Sequence, residues 1–315
     1  MIAASGESPR YATFEDPVAR DGEILVEVSA AGLHPVVKSI ASGAHYLAPG
    51  ATPFVPGLDG VGRLEDGTRV FFGASRPPFG SFAQRSVTRP ERCIPLSDTL
   101  DDATAAALAN PAMSSWGALT VRAAFARGES VLVLGATGIA GKLAVQIARA
   151  LGARNVIAAG RDEAALREVE TLGADATVRL AGERSAQVAA LEEQFVACGV
   201  DVVLDYVWGE PAEIALEAIA SRPREASTRV RYVQIGSVAG PTISLASATL
   251  RSTPVELLGS GFGSASIDAI MRSLAEFFAT ASKHEFRIDV RAIPLRDVER
   301  EWSAEGLRAR TVFLP

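Results

Sequence analysis

SVLVLGATGIAGKLAVQIARALG, residues 130–152, reads as a strand, a turn of small residues and a helix. Val131 to Leu134 are uniformly apolar, the pattern of a strand buried on both faces. Beyond the turn, Leu143, Ile147 and Leu151 recur at the four-residue spacing of one helix face. Strand, small-residue turn and helix in that order form a phosphate cradle. Read as x-x-G-x-x-G, the turn puts Ala136 at its first small position. Thr137 follows, then Gly138 where the backbone approaches a diphosphate, and Gly141 where the helix sits tightly on the strand. The amides of Ile139 to Gly141, at the positive end of the helix dipole, then face the anion without any lysine.

The same rhythm continues downstream. Strand-like runs lie at 155–159, 200–207, 231–236 and 255–259, separated by helical patterns whose apolar residues fall three and four apart. The first three helices are expected to stop at Gly152, Gly173 and Gly199, where a residue without Cβ takes the left-handed conformation. Apolar strands joined by helical crossovers predict a doubly wound parallel sheet, a Rossmann domain.

Upstream the character differs. Short β-rich runs such as EILVEV (23–28) and TRVFFG (68–73) alternate with Gly- and Pro-rich turns, which predicts an irregular, mostly antiparallel β domain. Between the two regions, residues 101–125 are Ala-rich and helical, with Pro111 expected to divide them into two helices. After Gly263 a helix carrying Ile270, Leu274 and Phe277 leads into IDVRAIPL and a tail expected to rejoin the first domain. The division expected is 1–115 with 261–315 for the β-rich catalytic domain and 116–260 for the dinucleotide-binding domain, an α/β chain overall.

The cofactor is read at the tip of the second Rossmann strand, VIAAGRDE, where NAD-dependent enzymes place a carboxylate on the ribose. Gly160 stands at that position and leaves room for a 2′-phosphate. Arg161 follows with a guanidinium suited to bidentate phosphate binding, and Arg179 is a second candidate. These residues favour NADPH.

Bulk properties narrow the function. A net charge of −6 argues against neutralising a nucleic-acid backbone. The two cysteines, Cys93 and Cys198, are too few for a disulfide framework and show no metal-binding spacing, which fits a reducing, cytoplasmic setting. The N-terminal residues lack a signal-peptide pattern, and no apolar run is long enough to span a bilayer, so neither export nor a membrane partner is expected.

With EILVEVSAAGLHP, VPGLDGVG, GTRVFFG, the GATGIAG turn, DVVLDYV, VQIGS and RDVEREW on view, nearly the whole chain resembles the medium-chain dehydrogenase/reductase superfamily, especially its zinc-free quinone-oxidoreductase-like branch. The resemblance implies a GroES-like catalytic domain, a substrate cleft between domains and a homodimer. It also implies further cofactor contacts at Ile235, Gly236 and Ser237, and at Gly259 and Ser260. The positions that look equivalent to the catalytic zinc ligands of other members hold His34, Leu58 with Asp59, and Asn110. Leucine cannot ligate zinc, and the four-cysteine structural zinc lobe is absent, so no metal is expected.

Without a Lewis acid, the acceptor must already be electrophilic, as quinones, enones and enals are. The expected reaction is NADPH-dependent hydride transfer to a quinone or α,β-unsaturated carbonyl compound. Metal-free ketone or aldehyde reduction and a non-catalytic NADPH sensor are the alternatives. Tyr46, in SGAHY, is the candidate proton donor by resemblance, with His34 and His45 competing. Relatives usually read G-x-N-P-x-D where this chain reads GLHPVV, so the expected Asn and Asp are replaced by His34 and Val37. Phe54, Phe71, Phe72, Phe79, Phe82, Trp116 and Phe262 are available as aromatic walls, though most read as core.

Overall fold

The computed structural model describes residues 1–4, 6–48, 50–221, 228–304, 306 and 308–315. The chain divides into two compact units, one of Met1–Asn110 with Phe278–Pro315 and one of Pro111–Phe277.

In the first unit, β1 (Ile24–Gly32) pairs antiparallel with β2 (Asp59–Arg63), which pairs with β3 (Arg69–Gly73), which in turn pairs with β5 (Cys93–Pro95). A further strand, β4 (Arg85–Thr88), lies on β1. The C-terminal strands β12 (Val290–Pro294) and β13 (Arg310–Leu314) return to this sheet, β13 antiparallel to β1. The tail therefore rejoins the first unit, as expected. Its core includes Val26, Val28, Phe54, Val70, Phe72, Phe82 and Phe313, contributed by alternate positions of the pleated strands.

In the second unit, six strands lie in the order β11 (Val255–Gly259), β10 (Val230–Gln234), β9 (Val202–Asp205), β6 (Val131–Leu134), β7 (Val156–Gly160) and β8 (Ala176–Arg179), every pair parallel. Leu132, Leu134, Ile157, Val203, Ile214, Ile219 and Tyr232 fill the core of one face. The helices α3 (Ile139–Ala150), α4 (Glu163–Thr171) and α5 (Arg184–Cys198) end beside Gly152, Gly173 and Gly199, whose φ values are 91°, 114° and 64°. Among the described residues no helix is long and apolar enough to cross a membrane.

Three details depart from the sequence reading. Pro111 does not divide its helix: α2 runs unbroken over Asp102–Gly117. The proline forfeits one amide donor, but the flanking Ala105 to Ala109 and Ala112 are fully buried and hold the helix in place, and the hydroxyls of Ser114 and Ser115 both donate to the Pro111 carbonyl at 2.8 Å. The unit boundary falls at this proline. At the other end the second unit extends to Phe277 because Trp116 packs edge-on against Phe277, with ring centroids 5.8 Å apart. Finally, β8 is absent from the sequence pattern, since its four residues ATVR are short and partly exposed and lack a continuous apolar run.

The parallel sheet carries one buried polar couple. The Tyr232 hydroxyl donates to Asp205 Oδ2 at 2.7 Å, while Asp205 Oδ1 accepts from the amides of Val207 and Trp208. Burial raises the Asp205 carboxyl above its ordinary value, and these donors oppose the rise. Replacing Tyr232→Phe removes one donor from a buried carboxylate, at a cost of about 1–3 kcal/mol. The urea midpoint at neutral pH is expected to fall accordingly; an unchanged midpoint would show that the couple adds nothing.

Candidate cofactor and active site

Because all strands of the second sheet are parallel, their carboxyl ends share one edge. Leu134, Gly160, Arg179, Asp205, Gln234 and Gly259 end the six strands there. All thirteen cofactor candidates fall on this edge or in the turns leaving it. The chain order switches between β6 and β9, which lie side by side although β7 and β8 intervene in sequence. Such a switch point opens the crevice in which open α/β sheets bind ligands.

The turn after β6 is shaped by the close approach of backbones. Gly138 caps α3 with φ −79° and ψ 163° and has no side chain to offer the helix amides. The first intrahelical bond here runs from the Lys142 amide to the Gly138 carbonyl, so the amides of Ile139, Ala140 and Gly141 point out of the helix end without intrahelical acceptors. A Cβ at Gly141 would lie 2.2 Å from the Gly135 carbonyl oxygen, whereas one at Gly138 would meet nothing closer than 3.5 Å. Gly141 therefore serves packing, and Gly138 keeps open the space before the amides. Ala136 is fully buried and anchors the turn, its amide donating to the Ala159 carbonyl at 3.0 Å.

Gly135 is a member of the turn that the sequence reading passes over. Its φ is 83°, and a Cβ there would lie 2.8 Å from Val207 Cγ1 in the turn after β9. The signal available was the three-residue spacing Gly135, Gly138, Gly141.

At the tip of β7, Gly160 faces Thr137: a Cβ at 160 would lie 2.6 Å from Thr137 Cγ2. No side chain, acidic or otherwise, is accommodated there. Asp162 is occupied as the cap of α4, accepting from the Ala165 amide at 3.1 Å. Arg161 is exposed beside it, and the strand register pairs Gly160 with Arg179. Among the described residues neither arginine forms an ion pair, while Lys142 in α3 is committed to Glu168 at 2.6 Å. Further along the edge, the Ile235 and Gly236 amides both donate to the Asp205 carbonyl, and Ser237 is exposed. The Ser260 amide donates to the Gln234 carbonyl, and the Gly259 carbonyl accepts from Arg122 Nε at 2.7 Å.

The catalytic candidates belong to the first unit. Tyr46 is 67% exposed, so its hydroxyl is free to meet a ligand. Its ring stacks on His45 with centroids 4.1 Å apart, and His45 Nδ1 accepts from the Leu47 amide at 3.1 Å. Partial burial lowers the His45 pKa, so the ring is neutral at pH 7.

His34 is entirely buried at the start of α1 (Pro35–Ala41), its Nε2 3.5 Å from Asp59 Oδ1. The imidazole lies over Gly32, where a Cβ would come within 2.4 Å of Nε2. Burial holds its pKa below 6.5, Asp59 opposes that, and Arg310 reinforces it. Arg310, a member of this cluster that sequence reading missed, is itself buried, donates to the Leu33 carbonyl at 3.2 Å and has its pKa lowered to about 10 by desolvation. Of the aromatic residues, Phe54, Phe71, Phe72, Phe79, Phe82 and Trp116 are buried, as core residues should be.

The sequence family described as Zinc-binding dehydrogenase matches residues 140–279. A probable NADPH-dependent quinone reductase of Emericella nidulans is 29% identical over 99% of this chain and 98% of its own. Human quinone oxidoreductase is 34% identical over a segment covering 47% of each protein, about half the length of that relative. The crystal structure of the quinone oxidoreductase from Thermus thermophilus, solved alone and in complex with NADPH, covers 100% of this chain and 98% of its own, with a TM-score of 0.81 at 26% identity.

Two outcomes test this geometry. Gly141→Ala should depress the denaturation midpoint strongly, whereas Gly138→Ala should cost no more than about 1 kcal/mol, the penalty of a poorer cap; equal losses would refute the division of labour. For His34, the unfolded chain takes up a proton near 6.5 and the folded chain only at lower pH. Stability is therefore present above about 6.5 and is lost as pH falls below it. Urea midpoints measured from pH 7 downward should decline in the wild type and flatten in His34→Gln; an equal slope in the two would remove His34 as the cause.

Proposed function

We propose that the chain is a medium-chain dehydrogenase/reductase of the quinone-oxidoreductase-like branch, in keeping with its likeness to quinone reductases, and that it is an NADPH-dependent oxidoreductase that reduces a quinone or an α,β-unsaturated carbonyl compound. One observation carries the reading. A single sheet edge holds three outward-facing amides behind an unobstructed Gly138, together with two arginines lacking an ion-pair partner among the described residues. The amides match a diphosphate, and the guanidinium groups match a further phosphate on the ribose.

Residues fit the cofactor from end to end. Ala136 to Gly141 receive the diphosphate, Gly160 leaves room beside the ribose, and Arg161 with Arg179 bind the 2′-phosphate. Ile235, Gly236, Ser237, Gly259 and Ser260 border the remaining length. When bound, NADPH supplies a hydride from its dihydronicotinamide ring. In the first unit, Tyr46 donates a hydrogen bond to the acceptor oxygen and delivers its proton. His34 is enclosed within that unit, its Nε2 facing Asp59 Oδ1 at 3.5 Å.

Zinc does not fit the corresponding residues, whatever the family description says. Leu58 has no donor atom, the buried Arg310 cation acts on both His34 and Asp59, and no group of three or more His, Cys, Asp or Glu suited to a metal occurs among the described residues. Without that Lewis acid, substrates must be electrophilic in themselves, which favours quinones and enones over simple ketones. The same reading includes a homodimer and a cytoplasmic setting, the latter in keeping with two free cysteines.

The test follows the absorbance of NADPH and NADH with a panel of quinones, enones and ketones. Oxidation with quinones or enones is expected; binding without oxidation across the panel would instead make the protein a sensor. Arg161→Ala should raise the NADPH Kd about 10- to 100-fold, the worth of one or two charge-assisted hydrogen bonds, and leave NADH nearly unchanged. Equal weakening of both would remove Arg161 from the phosphate site.

A further inference from the structure

The first unit contains a pocket of about 120 Å³ lined by Val37, Ile40, Leu47, Phe54, Leu58 and Phe79, among others. Two departures from the family pattern, Val37 in place of an acid and Leu58 in place of a metal ligand, meet in this one lining. Among the described residues the lining carries no ionisable side chain.

Part of its backbone is withdrawn from donation. Pro56, Pro77 and Pro78 have no N–H at all. The segments that form two of the walls are zipped together, the Val55 amide donating to Pro78 at 2.8 Å and the Phe82 amide to Pro56 at 3.0 Å. The Phe79 amide donates to Arg76 at 2.9 Å. The side-chain hydroxyl of the described lining, on Ser75, accepts from Ser86 Oγ at 2.9 Å. Two cations adjoin lining residues in sequence without belonging to the lining: Arg76, which sits over the Phe79 ring at 5.2 Å and is paired with Glu23 at 2.8 Å, and Lys38, next to Val37. A charged ligand group entering here would lose its water and meet no opposite charge in the described lining.

Size sets the second limit. An apolar cavity of roughly 150 Å³ holds a benzene molecule, so this pocket takes one ring or a short branched alkyl group. We infer that the pocket binds an uncharged, ring-sized apolar substituent of the acceptor and excludes acceptors carrying a carboxylate at that position. This rests on the oxidoreductase reading for the word acceptor, but the pocket itself can be tested without it.

Saturation-transfer NMR on the full chain, with toluene and benzoate as probes, compares two ligands of one ring each that differ in a methyl and a carboxylate. Toluene should give a signal and benzoate none. The toluene signal should vanish in Leu47→Asp, at a rim residue 43% exposed and so tolerant of change, and in Ile40→Trp, which fills the space. Absence of toluene binding, an equal benzoate signal, or binding untouched by both variants would overturn the inference. In turnover, phenyl-para-benzoquinone should exceed its carboxyphenyl counterpart in kcat/KM by at least about tenfold, and Leu47→Asp should lower the phenyl compound at least tenfold. Reduction of both at equal efficiency would sink the pocket and leave the oxidoreductase standing. Toluene binding with no reduction of any quinone or enone would do the reverse.

Discussion

Everything at the cofactor edge depends on how closely α3 can approach the end of β6. The Gly141 Cα rests against the Gly135 carbonyl, and a methyl group there would lie 2.2 Å from that oxygen. Any larger residue would drive the helix off the strand and turn its first amides away from the edge. The approach is dictated from both sides, because Gly135 adopts a φ of 83° with Val207 against it. The loop carrying Val207 is tied in turn by Asp205, whose two oxygens engage the Val207 and Trp208 amides and the Tyr232 hydroxyl. The Trp208 backbone, at a φ of 54°, is held in a conformation rare for a bulky residue. A buried carboxylate thus props the cradle from the neighbouring strand.

Charge is distributed with the same economy. The chain is acidic overall, and many of its arginines are spoken for: Arg184 by Glu213 and Glu217, Arg229 by Glu256, Arg231 by Glu129. Arg161 and Arg179, side by side at the ends of β7 and β8, have no such partner among the described residues. Lys142, one turn into α3, belongs to Glu168 instead. The amides at the start of α3 therefore stand without a free lysine beside them in that helix turn.

Much of this was legible in the sequence for a physical reason. A parallel strand buried on both faces must be uniformly apolar, and its helix must show a single apolar stripe, so β6, β7, β9, β10 and the helices between them declared themselves. What escaped lacked that signature. The strand β8 is too short and too exposed to stand out, and Pro111 obeys burial rather than its own propensity. Gly135 hides because a strand-terminal glycine looks like an ordinary breaker until its contact with Val207 is seen. Arg310 was unreadable beside His34 since 276 positions in the chain separate them, and only the pairing of β13 with β1 brings them together. The exposure of Tyr46, likewise, is a property of its loop and not of its neighbours in sequence.

The first unit treats its polar groups in two opposite ways. Around His34, Asp59 and Arg310, ionisable groups are sealed inside the unit, where burial lowers the pKa of both bases. A few residues away, between Val37 and Leu58, the described lining offers no ionisable side chain. A site that binds through coordination selects for the atom that ligates; a site that binds through apolar area selects for shape and for the absence of charge. With Val37 and Leu58 in one lining, the pocket on this unit has apolar area and shape as its means of selection.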